Sequence, residues 1–116
     1  MQYLLLIYQN EAENAARPEA EMAATTAEYG TFTQGIIQSG HFKGGERLRP
    51  SAMATTVRVR GGKTLTTDGP FAEAREQLAG YYMVEAKDLD EASVIAARIP
   101  GARTGAIEVR PIWPVM

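Results

Sequence analysis

The 116-residue sequence has no cysteine and a single histidine, His41. The first absence removes disulfide staples, a thiol nucleophile and every cysteine-based zinc or iron–sulfur site. The second removes a histidine-rich metal centre within one chain; no nucleotide or flavin site is visible either, so no cofactor is expected. Long apolar runs are missing too, and a helical membrane span needs about 20 such residues. The run Tyr3–Tyr8 in MQYLLLIYQN has no basic lead and no small-residue cleavage site. It reads as a strand and not as a signal peptide, and the protein as cytoplasmic with no membrane partner. Charge of either sign is scarce in the balance. The net value of −2 gives no general attraction to nucleic acid.

What is present suits an ordinary globular chain, with 45% hydrophobic and 22% charged residues. The length falls where single domains cluster, about 100–150 residues, so one domain over 1–116 is expected. The charge is unevenly placed. Lys43, Arg47, Arg49, Arg58, Arg60 and Lys63 stand against the single acid Glu46 between positions 43 and 63, so that segment carries +5 and the remainder −7.

Gln2–Tyr8 predicts a strand with both faces apolar: Tyr3, Leu5 and Ile7 on one, Leu4, Leu6 and Tyr8 on the other. A polar loop spans Gln9–Arg17. Pro18 then suits a first helical turn. Met22, Thr25, Tyr29, Phe32 and Ile36 recur at helical spacing, and Gly40 ends the helix. His41–Leu48 and Ala54–Arg60 are extended, Gly61-Gly62 is a two-residue hairpin turn, and Lys63–Thr67 is its return strand. Asp68-Gly69-Pro70 breaks that strand, and Phe71–Leu78 is placed as a short helical turn. Gly80–Ala86 predicts another strand, apolar on both faces. Asp88 and Glu91 form a capping-box-like start to a helix over Leu89–Arg98. Ala106–Ile112 is the last strand.

The order is β-α-β-β-α-β with an added central hairpin, a ferredoxin-like α+β fold with an antiparallel sheet and two helices on one face. Two helices cover one face of such a sheet. Apolar residues on the other face call for a cover, and a second copy of the same sheet is the simplest, which makes a homodimer the expectation.

TDGPFAEAREQLAGYY from Thr66, DLDEASVIAARIP and the closing AIEVRPI resemble the signature of the YCII-related (DGPF-domain) family. MQYLLLIY, GGERLRP and ATTVRVRGGK follow its usual flow, so the resemblance covers nearly the whole chain. It implies a dimeric α/β barrel, with muconolactone isomerases and small cofactor-free monooxygenases as superfamily relatives. The family has no settled activity, and a regulatory role beside sigma-factor-like regulators has been suggested for it. Related YciI proteins carry a proposed histidine–aspartate pair whose histidine lies in the first helix. Here no histidine lies between Pro18 and Gly40, and His41 comes just after that helix.

Asp68 leads the candidates for chemistry. A carboxylate in a turn near Phe71, Tyr81 and Tyr82 can serve as general acid or base if burial raises its pKa. An aspartate before Gly-Pro equally serves to bond its own backbone and lock the turn. Glu73 is either a second carboxylate beside Asp68 or a solvated side chain. His41 is either a cleft-lining base or an ordinary partly buried residue. Tyr81 and Tyr82 offer hydroxyls, with at least one expected to pack in the core. Arg49 and Arg58, with Arg47 and Arg60, carry forked donors suited to a carboxylate, or simply charge a solvated strand face. Gly62-Lys63-Thr64 looks like the end of a phosphate loop, but Val57 stands where that motif needs glycine.

Two functions follow from different classes. One is a cofactor-independent enzyme acting on a small carboxylated or aromatic metabolite, with Asp68 moving the proton and Arg49 or Arg58 holding the anion. The other is a non-catalytic ligand-binding or regulatory module that engages a protein partner. A third reading makes the Asp68 turn a structural lock.

Overall fold

The computed structural model describes residues 1–114, an α+β chain with an antiparallel main sheet. Its elements are β1 (Gln2–Gln9), α1 (Glu11–Ala15), α2 (Glu19–Gln38), β2 (Phe42–Arg47), β3 (Thr55–Arg60), β4 (Lys63–Asp68), β5 (Gln77–Glu85), α3 (Leu89–Ala97) and β6 (Ala106–Pro111). Single 3-10 turns lie at Ser51–Met53 and Pro100–Arg103. The main sheet runs β2-β5-β1-β6, with every neighbour antiparallel. Set aside α1 and the β3–β4 hairpin, and this is the strand order of a ferredoxin-like split βαβ fold, as expected.

The period-two alternation of β1 sorts its side chains onto two faces, and the helices make one of them core. Tyr3, Leu5 and Ile7 are buried, opposite Val84, Tyr82 and Gly80 of β5 and Pro111, Val109 and Ile107 of β6. Phe32 and Ile36 of α2 and Ala92, Ile95 and Ala96 of α3 close over them. The other set, Leu4, Leu6 and Tyr8 with Tyr81 and Met83, lies on the helix-free face and is only partly buried. Both apolar faces anticipated for β1 therefore exist, and one has no helix over it.

Helix ends follow local chemistry. Pro18 precedes α2, and Glu19 and Glu21 sit in its first turn, where negative charge meets the positive end of the dipole. Gly40 has φ +81°, a conformation other residues rarely adopt, and lets the His41 N–H donate back to the Ile36 carbonyl at 2.9 Å. At α3 the Asp88 carboxylate accepts from the Glu91 N–H at 2.9 Å. The Glu91 carboxylate in turn accepts from the Lys87 N–H at 3.0 Å and stands 3.3 Å from His41 Nε2. The Lys87 N–H, and then His41, hold the Glu91 carboxyl below its ordinary value of 4.5. Because its folded pKa is depressed, its contribution to stability is present above that ordinary value and lost as pH falls through the lowered one. Glu91→Gln is therefore expected to melt somewhat lower than wild type near neutrality, where the contribution is present, and to converge with it at low pH, which flattens the acid limb. Melts across the acid range check this.

Two local expectations are corrected. The loop after β1 contains the one-turn helix α1, started by the Asn10 side chain, which accepts from the Glu13 N–H at 2.9 Å. Phe71–Leu78 is not helical: it runs as bends, and Gln77 and Leu78 already belong to β5. They pair with Gln9 and Tyr8 of β1, and one isolated helical turn cannot compete with a ladder that extends an existing sheet.

The β3–β4 hairpin is separate from the main sheet. Gly61 and Gly62, with φ +57° and +77°, supply the left-handed turn that matches strand twist. Six pairs from Thr55↔Asp68 to Arg60↔Lys63 hold it in register. All its residues are exposed except the half-buried Thr56. The radius of gyration is 16.1 Å, against about 13 Å for a compact chain of this length. The hairpin is an arm that stands off the body.

Candidate functional site

A cavity of about 380 Å³ opens between α2 and the β2–β5 side of the main sheet, roofed by the segment around α1. Its size lies in the range of small-molecule sites, roughly 300–1,000 Å³. Ile7, Met22, Phe42 and Ala79 supply apolar wall, and Gly45 and Gly80 keep β2 and β5 close. A Cβ on Gly80 would come within 2.8 Å of the Glu46 carbonyl, so glycine is what lets these strands approach. Phe32 and Phe42 meet the Tyr82 ring edge-on, with centroids 5.1 and 6.5 Å away, and fix its position.

The polar groups are arranged by α2. Thr25, Tyr29 and Thr33 are four residues apart, which puts three hydroxyls in one line along the helix. The Tyr29 hydroxyl accepts from the Gly101 N–H at 3.1 Å, so its own proton remains available to a ligand. Burial pushes the Tyr29 pKa up, and Tyr82 adds to this; the Gly101 N–H and the positive charges of Arg103 and Arg47 pull the other way. At neutral pH Tyr29 is thus a hydrogen-bond donor and not a phenolate base. The Thr33 hydroxyl donates to the Tyr29 carbonyl at 2.8 Å and lies 2.7 Å from the Tyr82 hydroxyl. One hydroxyl has one proton, so Tyr82 is the donor to Thr33 and keeps its lone pairs for the cavity.

Two arginines border the same space. Arg17 donates to Asn14 Oδ1 at 3.3 Å and Thr25 Oγ1 at 2.7 Å, and its Nε lies 3.5 Å from the Glu21 carboxylate. A guanidinium has five N–H donors, so part of its fork remains free. Arg47 sits at the end of β2, exposed at the rim. The roof is tied down by Glu11, whose two carboxylate oxygens accept from the Ser51 N–H and hydroxyl at 2.8 and 2.9 Å. The Glu11 N–H donates to Gln77 Oε1 at 2.9 Å. The roof is thereby joined both to β5 and to the base of the arm.

The residues singled out from sequence fall in several places. Asp68 ends β4 on the arm, exposed, and its carboxylate bonds to none of the described residues. Glu73 follows it in the bends, also exposed. Arg58 lies on the arm with its guanidinium 4.8 Å from the centre of the Phe71 ring. Arg49 is exposed between β2 and the Ser51 turn. None of these four lines the cavity. Tyr81 borders it, although its register partners Leu6 and Glu46 place it on the helix-free face. His41 lies outside the cavity, between Ser39 Oγ at 2.7 Å and Glu91. The Asp68 turn is fastened by other atoms: Gly69 N–H donates to the Ala54 carbonyl at 2.7 Å, and Thr56 Oγ1 to the Gly69 carbonyl at 2.9 Å.

Arg17 and Tyr29 are cavity residues that the sequence reading did not select. Arg17 sat in a segment read as loop, and Tyr29 in a stripe read as core. The hydroxyl line Thr25-Tyr29-Thr33 was the available signal, because core stripes rarely carry three hydroxyls in a row. Among the described residues no helix is long and apolar enough to cross a membrane, and no cluster of three metal-ligating side chains is present.

The model of the YCII-related domain matches residues 1–116. An uncharacterized protein, R00369, of Rhizobium meliloti (strain 1021) is 34% identical over 114 residues, covering 97% of this chain and 92% of that protein. With its ferredoxin-like strand order and this match across its length, the chain belongs to the YCII-related family.

Proposed function

We propose that this YCII-related protein binds a small carboxylate with an apolar or aromatic body in the cavity between α2 and β5, as a ligand-binding module. The observation that carries this is the joint presence of free arginine donors at the rim and the Tyr29–Tyr82 hydroxyls over an apolar wall. Arg17 and Arg47 take the anion, Tyr29 donates to a ligand oxygen, and Tyr82 accepts from a ligand hydroxyl. Among the described residues the only carboxylate on the lining is Glu46, exposed on the edge strand. The surroundings therefore favour holding a ligand over moving a proton. Acid–base catalysis remains attached to Asp68, and requires that residue to be covered by something other than its own chain.

Self-association belongs to the same reading. Leu4, Leu6, Tyr81 and Met83 form an apolar patch with no helix over it, and a second sheet is the shape that covers it. A regulatory protein partner, of the sigma-factor-associated kind, would read the ligand state of such a dimer.

The cavity is tested by calorimetry and thermal shift with aromatic carboxylates, phenols and lactones. A carboxylate hit should bind wild type and Asp68→Asn alike. Arg17→Ala should weaken it by roughly 10–100-fold, the value of one charge-assisted hydrogen bond. Tyr29→Phe should weaken it less. A hit abolished by Asp68→Asn and untouched by Arg17→Ala would sink the cavity and move the site to the arm.

A further inference from the structure

The arm is a regular hairpin whose Val57–Val59 face is covered by none of the described residues. A two-stranded ribbon is at best marginally stable in water, because neither face is shielded. Here Val57, Val59 and Leu65 are 59%, 60% and 48% exposed. The arm has two different faces. Its pairing places Thr55, Val57 and Val59 with Thr64, Thr66 and Asp68 on one, and Thr56, Arg58 and Arg60 with Lys63, Leu65 and Thr67 on the other. The first face presents the two valines among threonines. The second carries all three basic side chains of the ribbon, with Phe71 stacked on Arg58.

We propose that the β3–β4 arm is a clasp for a second copy of this chain, laying its Val57–Val59 face across the body of the partner. Three observations select this occupant. The arm, 55–68, carries Arg58, Arg60 and Lys63 against Asp68, a net +2, and the rest of the chain −4, so an arm is drawn to another copy's body and repelled by another copy's arm. The arm does not lie on its own body: its two strands pair only with each other, and Ser51 beside its base is held away on Glu11. The helix-free sheet face is an apolar surface on the same molecule that wants a partner of its own shape, and a two-fold pair closes both at once. The arm then adds reach to the sheet contact, and its basic face meets acidic side chains of the partner.

This inference rests on the self-association proposed above, and the experiment separates the two. The chain has no cysteine, so Val59→Cys with a nitroxide label reports on the arm alone. The full-length protein is followed by sedimentation and by the label's spectrum, for wild-type background, Val57→Asp with Thr66→Asp, and Met83→Glu on the sheet face. The expected result is a wild-type dimer with an immobilised label, a dissociation constant raised roughly tenfold or more by the arm pair, and a label set free in Met83→Glu. Circular dichroism confirms that each variant keeps its fold. The salt sensitivity of the dimer should fall in Arg58→Glu with Arg60→Glu. A dimer broken by Met83→Glu but indifferent to the arm variants, with a mobile label, overturns the clasp and leaves the sheet contact standing. A wild-type monomer at every concentration overturns both, and a label immobilised only when another acidic protein is added overturns the second copy as occupant.

Discussion

Leu5→Ala should be the most damaging change in the core, lowering stability by about 3–4 kcal/mol, within the roughly 2–5 kcal/mol seen for buried leucines. Leu5 is fully buried, at 0% exposure, and sits at the centre of β1 between Tyr82 on β5 and Val109 on β6. Ile36 and Ile99, equally buried, belong to the same core cluster. A β-strand flanked on both sides by paired strands cannot shift inward to fill the void, so the cost includes a retained cavity as well as lost transfer energy. For a chain of this size the melting temperature should fall by roughly 10–15 °C. Leu6→Ala, one residue on, points to the helix-free face and should cost the monomer far less. Melts of both variants check the pair, and equal losses would mean the face assignment of β1 is wrong.

Gly105→Ala is the second large effect. An added Cβ would sit far inside van der Waals contact distance of the Tyr8 carbonyl oxygen, and that oxygen belongs to paired backbone that cannot swing away. Tyr8 pairs with Ala106, so relief of the clash pries open the β1–β6 ladder at that end. The N–H of Gly105 also donates to the Gly101 carbonyl at 2.8 Å, and the Gly101 N–H in turn positions Tyr29. The expected loss is about 3 kcal/mol, at the upper end for overpacking, accompanied by weaker ligand binding through displaced Tyr29. Unchanged hydrogen exchange at Tyr8 and Ala106 would show that the ladder absorbs the methyl.

Short-range patterns carried most of the fold. The alternation in Tyr3–Tyr8, the helical stripe ending in Phe32 and Ile36, the Gly61-Gly62 turn and the Asp88–Glu91 cap are local rules, and each element stands where those rules place it. They fail where local preference is weak and tertiary pairing is available. Gln77 and Leu78 have no strong preference of their own, and β1 recruits them as strand.

The cavity is another matter. Arg17, Tyr29, Thr33, Arg47 and Tyr82 come from four separate stretches, and no sequence spacing states that they converge. Asp68, Glu73, Arg49 and Arg58 drew attention because they lie in a distinctive run of sequence, yet in a single chain they stand on or beside an exposed arm. By itself the sequence determined most of the strands, helices and turns, α1 and the Phe71–Leu78 segment excepted, and that β1 has two apolar faces, because periodicity and turn chemistry act over a few neighbours. Only the tertiary structure decided which face the helices take, that the hairpin stands free, and which hydroxyls and guanidinium groups share one space. Those depend on strand order and on the latch between Glu11 and Ser51, contacts between residues tens of positions apart that no local rule encodes.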